Sequence, residues 1–239
     1  MIAERTKKEI FGIVGGMGPL ASAEFLKTIY EQGLGELEQN SPIVLMYSDP
    51  TFPDRTDAFV EGSSHGLVEQ LSRAIASLCD LGASRVVICC ITIHYLLPQL
   101  PPYLRGKVVS LLDVVFAHLE KTRTKHLLLC SSGSSKMRLF QNHSQWERLQ
   151  DYIVVPDAHD QDLIHREIIY PIKRNYEIGK LIPLLESLLD KYKVNSFVAG
   201  CSEIHLLAKH YASTPSHKQR YGCLDPLSLI AAELAKESR

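Results

Sequence analysis

A short motif occurs twice in this chain, and each copy follows a run of apolar residues. Cys90-Ile-Thr-Ile-His94-Tyr-Leu-Leu recurs 111 positions later as Cys201-Ser-Glu-Ile-His205-Leu-Leu. The preceding runs, 86–89 and 197–199, are typical of parallel strands that are buried on both faces. A repeat of this size indicates two related halves, each of which places one cysteine at the carboxyl end of a strand, where α/β sheets bind ligands.

Strand-like and helix-like segments alternate along the whole chain. This order predicts an α/β fold with two pseudo-symmetric parallel-sheet domains and an active site in the cleft between them. The proline-rich segment 98–102 indicates the boundary, so we predict a first domain of 1–104 plus 210–239 and a second domain of 105–209. The predicted strands are 11–14, 43–47, 86–89, 126–129, 152–155 and 197–199, and the predicted helices are 21–32, 66–81, 111–122, 160–172, 181–192 and 226–236.

Composition argues against several classes of partner. The chain has 26 basic and 27 acidic side chains, whereas a strong nucleic-acid binder normally has a net basic face. Its most apolar stretch, 86–93, is much shorter than the ~20 residues that cross a bilayer, and residues 1–10 have no signal-peptide pattern. We therefore expect a cytoplasmic protein with reduced cysteines that binds a small molecule, and neither nucleic acid nor a membrane.

Cys90 and Cys201 are the predicted catalytic residues. A thiol between a strand end and a helix start lies near unpaired N–H groups, which favour the thiolate. Two such groups on opposite sides of a cleft could invert one carbon, because one removes a proton while the other returns one. The other four cysteines, at positions 79, 89, 130 and 223, are expected to be packing residues.

The same repeat leaves a metal site open as an alternative. His94 and His205 each lie four residues after a motif cysteine, so the four side chains could form a Cys2His2 zinc site. The usual Cys-x2-4-Cys spacing is missing, and a chain with a large core does not need a structural metal. We expect no metal, with both histidines on a helix surface or hydrogen-bonded beside the site.

A glycine-rich loop at 15–22 follows the first predicted strand. Its Gly-x-Gly-x-x-Ala spacing partly fits a dinucleotide-binding loop, but the acidic residue that would end the second strand, Asp49, lies too far along the chain. We expect no cofactor, and we interpret the loop as a cradle of backbone N–H groups for a carboxylate. The serine-rich turn 131–135 is its counterpart in the second half.

Two cations follow predicted elements near the same sheet edges. Arg55 lies in the proline-marked loop 49–56, and Lys173 ends a predicted helix. Either side chain could bind a substrate carboxylate. The alternatives are a solvated Arg55 paired with Asp54, and a lysine that only interacts with the helix dipole.

Seven segments, in order along the chain, resemble the cofactor-independent aspartate/glutamate racemase family. The resemblance implies the two-domain fold, a homodimer, an acidic amino acid as substrate and Cys90 and Cys201 as the acid and base. It also implies that Arg55 and Lys173 hold carboxylates, and that Met17, Ile91, Thr92, Gly133, Ser134 and Ser202 lie in substrate-binding loops. The segments are 15–22, 53–56, 90–94, 133–134, 155–157, 168–173 and 200–203.

One position departs clearly from the family pattern. The first cysteine of the family is usually followed by asparagine, but this chain has Ile91. Because isoleucine lacks an amide, a substrate hydrogen bond worth ~1 to 3 kcal/mol could be missing, which affects substrate choice or turnover. Ser134 and Ser202 replace the common threonines and keep the hydroxyl.

The sequence thus favours a cofactor-independent racemase of aspartate or glutamate, with aspartate expected. One alternative is an isomerase or decarboxylase of a small dicarboxylic acid on the same scaffold. Another is a binding protein that keeps the cleft but has lost turnover.

Overall fold

The computed structural model describes residues 9–34, 37–60, 64–214 and 220–237. The described strands are β1 Ile10–Gly15, β2 Ile43–Ser48, β3 Ala83–Ile88, β4 Val108–Val109, β5 His126–Cys130, β6 Ile153–Val154, β7 Ser196–Gly200 and β8 Gly222–Leu224. They form two four-stranded parallel sheets in the orders β2-β1-β3-β4 and β6-β5-β7-β8. The two orders are equivalent, so the predicted pair of pseudo-symmetric α/β domains is confirmed.

Helices flank both sheets. Their bounds are α1 Pro19–Gly33, α2 Arg55–Val60, α3 Ser64–Asp80, α4 Pro102–Arg105, α5 Leu111–Thr122, α6 Ser132–Lys136, α7 Trp146–Leu149, α8 Ala158–Leu163, α9 Tyr170–Lys173, α10 Ile182–Tyr192, α11 Ser202–Ser213 and α12 Pro226–Glu237. A π-helical turn, Ile164–Ile169, joins α8 to α9, and the 3-10 segments are Glu38–Asn40, Thr92–Gln99, Gln150–Tyr152 and Ile178–Leu181. Within these described residues, none of the helices is long and apolar enough to cross a membrane.

The two cysteine motifs occupy equivalent places in the two sheets. Cys90 lies just after β3, and Cys201 lies just after β7, each of which pairs with the central strand of its sheet. All residues of β5 and β7 are buried, which explains why these runs are continuously apolar. The carboxyl ends of the parallel strands therefore carry both thiols.

The edge strands extend both domains beyond the predicted boundaries. β4 pairs with β3, so the first sheet reaches Val109 rather than ending before 105. β8 pairs with β7, so the second sheet continues to Leu224, past position 210. The last helix, α12, packs against α1. We infer a first domain that closes after β4 and regains only α12 from the end of the chain.

Three apolar clusters stabilise this arrangement by removing side chains from water. One cluster covers the outer face of the first sheet, and a second surrounds β7 and α10 in the second domain. The third, which we name the central core, takes residues from both domains, including Phe11, Phe116 and Phe140. Because the central core joins the two sheets, it fixes the distance across the cleft above it.

Candidate active site

Both motif cysteines line one small cavity between the domains. Each side chain is almost fully buried, with 5% of Cys90 and 6% of Cys201 exposed. This space is here called the inner cavity. Its lining residues are Met17, Asp54, Arg55, Thr56, Cys90, Thr92, Ser131, His165, Lys173, Cys201 and Glu203. Six of the residues that were predicted from the sequence are therefore brought together.

A second cavity, the outer cavity, adjoins the first. Met17, Arg55, Lys173 and Glu203 line both spaces, so these four side chains form the border between them. The outer cavity has a volume of about 580 Å³ and is bounded by the glycine loop, Pro50, Ile172 and Leu206. The predicted ligand loop thus faces this outer space.

The glycine loop is held tightly by its own contacts. Gly16 has φ +92, and a Cβ there would lie 2.2 Å from the carbonyl oxygen of Asp49, so only glycine fits. The N–H of Gly16 donates to Ser22 Oγ at 3.2 Å, and that hydroxyl donates to the Gly18 carbonyl at 2.9 Å. One N–H group of the predicted carboxylate cradle is therefore used inside the loop itself.

A hydroxyl cluster joins the two halves beside the thiols. Thr92 Oγ1 lies 2.9 Å from Ser131 Oγ and 3.0 Å from Ser134 Oγ. Ser131 also caps α6 by accepting from the Ser134 N–H. Gly133 packs closely on Thr56, where a Cβ would approach Oγ1 to 2.5 Å. Thr92 and Ser131 face the inner cavity, while Gly133 and Ser134 support them from behind.

Arg55 is buried and connects two loops, and it also places a positive charge at the inner cavity. Its Nη1 donates to the Pro53 carbonyl at 2.9 Å, and its Nη2 donates to the Met17 carbonyl at 3.0 Å. These bonds tie the proline loop to the glycine loop. The guanidinium is 9% exposed, so the alternative of a solvated loop arginine is wrong.

Lys173 ends α9 and borders both cavities. Burial alone would lower the pKa of its ammonium, but nearby negative charge, chiefly that of Glu203, outweighs burial and raises the pKa. The side chain therefore stays protonated and supplies a positive charge next to the thiols.

Glu203 is a site residue to which the sequence analysis gave no role. It lies two residues after Cys201 in the first turn of α11, and it is 2% exposed. Its Oε2 accepts from the Cys201 thiol at 2.8 Å and from the Ser202 hydroxyl at 3.3 Å. Ser202 thus faces Glu203 and lines neither cavity. The sequence does contain one indication of this role, because Glu203 is a charged residue at a buried position of the repeated motif.

The Glu203 carboxylate also changes the expected protonation state of Cys201. Burial raises the pKa of this thiol, and the Glu203 charge raises it further, while Lys173 opposes the shift. The net pKa is well above that of an ordinary cysteine, so Cys201 is a thiol at neutral pH. The prediction that a helix start makes it a thiolate is wrong for Cys201, because burial, together with a carboxylate in contact, outweighs the helix dipole.

His165 and Asp54 complete the inner cavity and were also missed. His165 lies in the π-helical turn, and its Nδ1 accepts from the Ser132 N–H at 3.4 Å. Burial, with Lys173 nearby, lowers the pKa of His165, so its ring is neutral at pH 7. Asp54 Oδ1 accepts from the N–H groups of Thr56 and Asp57 at the start of α2. Periodicity gave no signal for either residue.

Ile91 lies away from both cavities. Its backbone is helical directly after Cys90, and its side chain is buried in the central core. Packing in the central core therefore accounts for the apolar side chain of Ile91. A substrate contact at Ile91 stays a prediction.

His94 has a structural role beside the first cysteine. The Leu111 N–H donates to Nε2 at 3.0 Å, so Nδ1 carries the proton and donates to the Cys90 carbonyl at 2.9 Å. The bond to Leu111 satisfies one of the free N–H groups at the start of α5. Burial lowers the pKa of His94 to about 4, which keeps the ring neutral.

His205 links the domains. Its Nδ1 lies 2.6 Å from Asp225 Oδ2, and its Nε2 lies 2.9 Å from Thr28 Oγ1 in α1. Asp225 in turn accepts from the Leu227 N–H and the Ser228 hydroxyl at the start of α12. His205 thereby connects α11 to both α1 and α12.

These hydrogen bonds do not fit the alternative of a Cys2His2 site. Both ring nitrogens of His94 and of His205 are engaged by partners other than the thiols of the motif cysteines. Across the described ranges, no group of three or more His, Cys, Asp or Glu side chains is placed to hold a metal ion.

The low pKa of His94 predicts a loss of stability in weak acid. An unfolded histidine has a pKa near 6.5, so between pH 6.5 and 4 the unfolded chain binds a proton that the folded chain does not. The free energy of unfolding should fall over this range by up to about 3 kcal/mol from His94 alone. Urea unfolding at pH 7.5, 6 and 5 should show a shallower decline for His94→Gln than for the wild type. The exposed His159→Gln is the control, and equal slopes in His94→Gln and the wild type would refute this assignment.

Residues 14–234 match the family model described as Asp/Glu/Hydantoin racemase. The chain belongs to this family. The match includes both cysteine motifs, the glycine loop and all residues that line the inner cavity.

Solved structures of similar fold carry related descriptions. A Picrophilus torridus aspartate racemase aligns with a TM-score of 0.78 and 23% identity over 96% of this chain and 94% of its own. An aspartate racemase homologue from Pyrococcus horikoshii aligns at 0.66 and 18% over 97% and 99%. A Francisella tularensis glutamate racemase in complex with D-glutamate aligns at 0.58 and 13% over 96% and 80%. At these identities the likeness establishes the shared two-domain fold.

Proposed function

We propose that the protein racemises an acidic amino acid, with aspartate preferred, through Cys90 and Cys201 as the two proton-transfer groups. The observation that carries this proposal is that both thiols line one small cavity together with two cations, Arg55 and Lys173. The family membership and the aspartate racemases among its structural neighbours support the choice of reaction and substrate.

The proposed reaction moves one proton on each face of the α-carbon. For one enantiomer, Cys90 removes the α-proton and the Cys201 thiol delivers its proton to the opposite face. For the other enantiomer, the roles of the two cysteines are exchanged. The hydrogen bond from Cys201 to Glu203 keeps a proton on Cys201 before substrate binds, so this side of the cavity is prepared as the acid.

The surrounding charges favour the carbanionic intermediate. Removing the α-proton places negative charge on the α-carbon and its carboxylate, and the buried Arg55 and the partly buried Lys173 are cations beside that position. Because Arg55 and both thiols are buried, these charges act at short range in a low dielectric. No step in this scheme requires a cofactor.

The proposal is tested by incubating the purified protein with L- and D-aspartate and L- and D-glutamate in D2O, without added cofactor. Inversion with α-deuterium uptake is the expected result, faster for aspartate than for glutamate. Deuterium uptake without inversion would contradict the two-cysteine scheme. No uptake with any of the four amino acids would reject the racemase proposal, and parallel assays with maleate and a substituted malonate would then test an isomerase or a decarboxylase.

We also expect a homodimer, as the family resemblance implies. Sedimentation velocity of the purified chain would measure this directly, with a 26.8 kDa monomer as the opposing result.

A further inference from the structure

One oxygen of Glu203 is buried without a partner. Oε2 is occupied by the Cys201 thiol and the Ser202 hydroxyl. Oε1 has no hydrogen-bond partner among the described residues, although the side chain is almost fully buried. A buried carboxylate oxygen without a donor is costly, and such atoms call for a ligand or a functional reason.

The position of this oxygen points to a ligand. Glu203 borders both the inner and the outer cavity, so it lies where they join. On its other side the backbone of the glycine loop packs closely, because a Cβ at Gly18 would lie 2.5 Å from Oε1. Gly18 itself lines the outer cavity, so Oε1 lies beside the glycine loop at the border of the two cavities. Lys173 interacts with Glu203 through its charge but does not hydrogen-bond to Oε1.

The other charged side chains of the inner cavity have different roles. Arg55 and Lys173 are the cations, and they suit the two carboxylates of an acidic amino acid. Asp54 is the second carboxylate, but its Oδ1 accepts two backbone N–H groups at the start of α2. Asp54 is also exposed, so Glu203 Oε1 is the buried carboxylate oxygen of this cavity that lacks a donor among the described residues.

We propose that Glu203 Oε1 accepts a hydrogen bond from the α-ammonium group of the substrate. This assignment rests on the proposed function, and it makes amino dicarboxylates, rather than plain dicarboxylic acids, the class that the site selects. The ammonium would be held next to Cys201, since the same carboxylate contacts that thiol. Together with two carboxylate contacts, this third contact fixes which face of the α-carbon meets each cysteine.

The test compares two ligands that differ in the ammonium group. L-Aspartate and succinate share both carboxylates, and their dissociation constants are measured by calorimetry for the wild type, Glu203→Gln and Glu24→Gln. Glutamine keeps the shape of Glu203 but removes the charge, so aspartate should bind roughly 10- to 100-fold more weakly while succinate changes less than about 3-fold. Glu24 lies on α1, paired with Lys209 outside both cavities, and its variant controls for net charge.

The outcomes separate this inference from the proposed function. An equal loss for both ligands, or no change for either, in Glu203→Gln would overturn the ammonium contact even if the wild type racemises aspartate. Selective loss of aspartate would support the contact even if the wild type binds aspartate without inverting it. Succinate binding by the variant also shows that its cavity is folded. A wild type that binds succinate as tightly as aspartate would overturn the inference as well.

Discussion

Replacing Cys90 or Cys201 by alanine should abolish racemisation. Each variant removes one of two proton-transfer groups, and positioned acid or base groups typically contribute about 10²- to 10⁴-fold to rate. Because inversion needs a donor and an acceptor on opposite faces, the remaining thiol cannot complete the reaction alone. Polarimetry or chiral chromatography should therefore detect no inversion above about one hundredth of the wild-type rate.

Deuterium exchange distinguishes proton transfer on the two faces of the α-carbon. In Cys201→Ala, Cys90 still faces one side of the α-carbon, so one enantiomer should exchange its α-proton with D2O and keep its configuration. Cys90→Ala should exchange the opposite enantiomer more slowly, because Cys201, the remaining thiol, is held protonated beside Glu203. Cys79→Ala removes a thiol from α3, outside both cavities, and should keep the wild-type rate. Full racemisation by Cys201→Ala would rule out the two-cysteine assignment.

The two cysteines are equivalent in the fold but not in their surroundings. Cys201 contacts the carboxylate of Glu203, which holds it as a thiol. The corresponding position after Cys90 is Thr92, whose hydroxyl joins the serines of the other domain. The repeat therefore gives symmetric positions for proton transfer, while the residue two places after each cysteine makes the two sides chemically different.

This asymmetry shows what the sequence could and could not predict. Recurrence of the motif after two buried strands was enough to place both thiols at one cleft, because equivalent strand ends converge in a pseudo-symmetric fold. The state of Cys201 could not be predicted from local rules. A helix start favours a thiolate, but a carboxylate at 2.8 Å opposes it, and that distance depends on the side-chain geometry.

The other features that could not be predicted from the sequence have equally specific physical reasons. The edge strands β4 and β8 have two and three residues, which is too short for a period-2 pattern to appear. His165 faces the cavity from a π-helical turn, so its position does not follow the 3.6-residue period that was assumed for 160–172. His94 and His205 resemble metal ligands in sequence, yet their partners, Leu111 and Asp225, lie 17 and 20 residues further along the chain.

Among the substitutions proposed here, Asp225→Ala should lower the free energy of unfolding most. The substitution leaves His205 buried with an unpaired Nδ1 and removes the acceptor for the Leu227 N–H at the start of α12. Leaving a buried hydrogen-bonding group without its partner typically costs about 1–3 kcal/mol, and this substitution leaves such groups on both His205 and Leu227. Since His205 connects α11 to α1 and α12, the loss should appear as a lower midpoint of cooperative urea unfolding.

The chain offers a matched control for this prediction. Asp113 also pairs with a histidine, His143, at 2.8 Å, but 73% of its side chain is exposed. Asp113→Ala should therefore cost less than about 1 kcal/mol, because exposed ion pairs contribute little. Asp225→Asn keeps an oxygen acceptor for α12 and removes only the charge, so its loss should lie between the two. If Asp225→Ala and Asp113→Ala were equally stable, the buried link would not stabilise the contact between the domains, and the cleft geometry would depend on the central core alone.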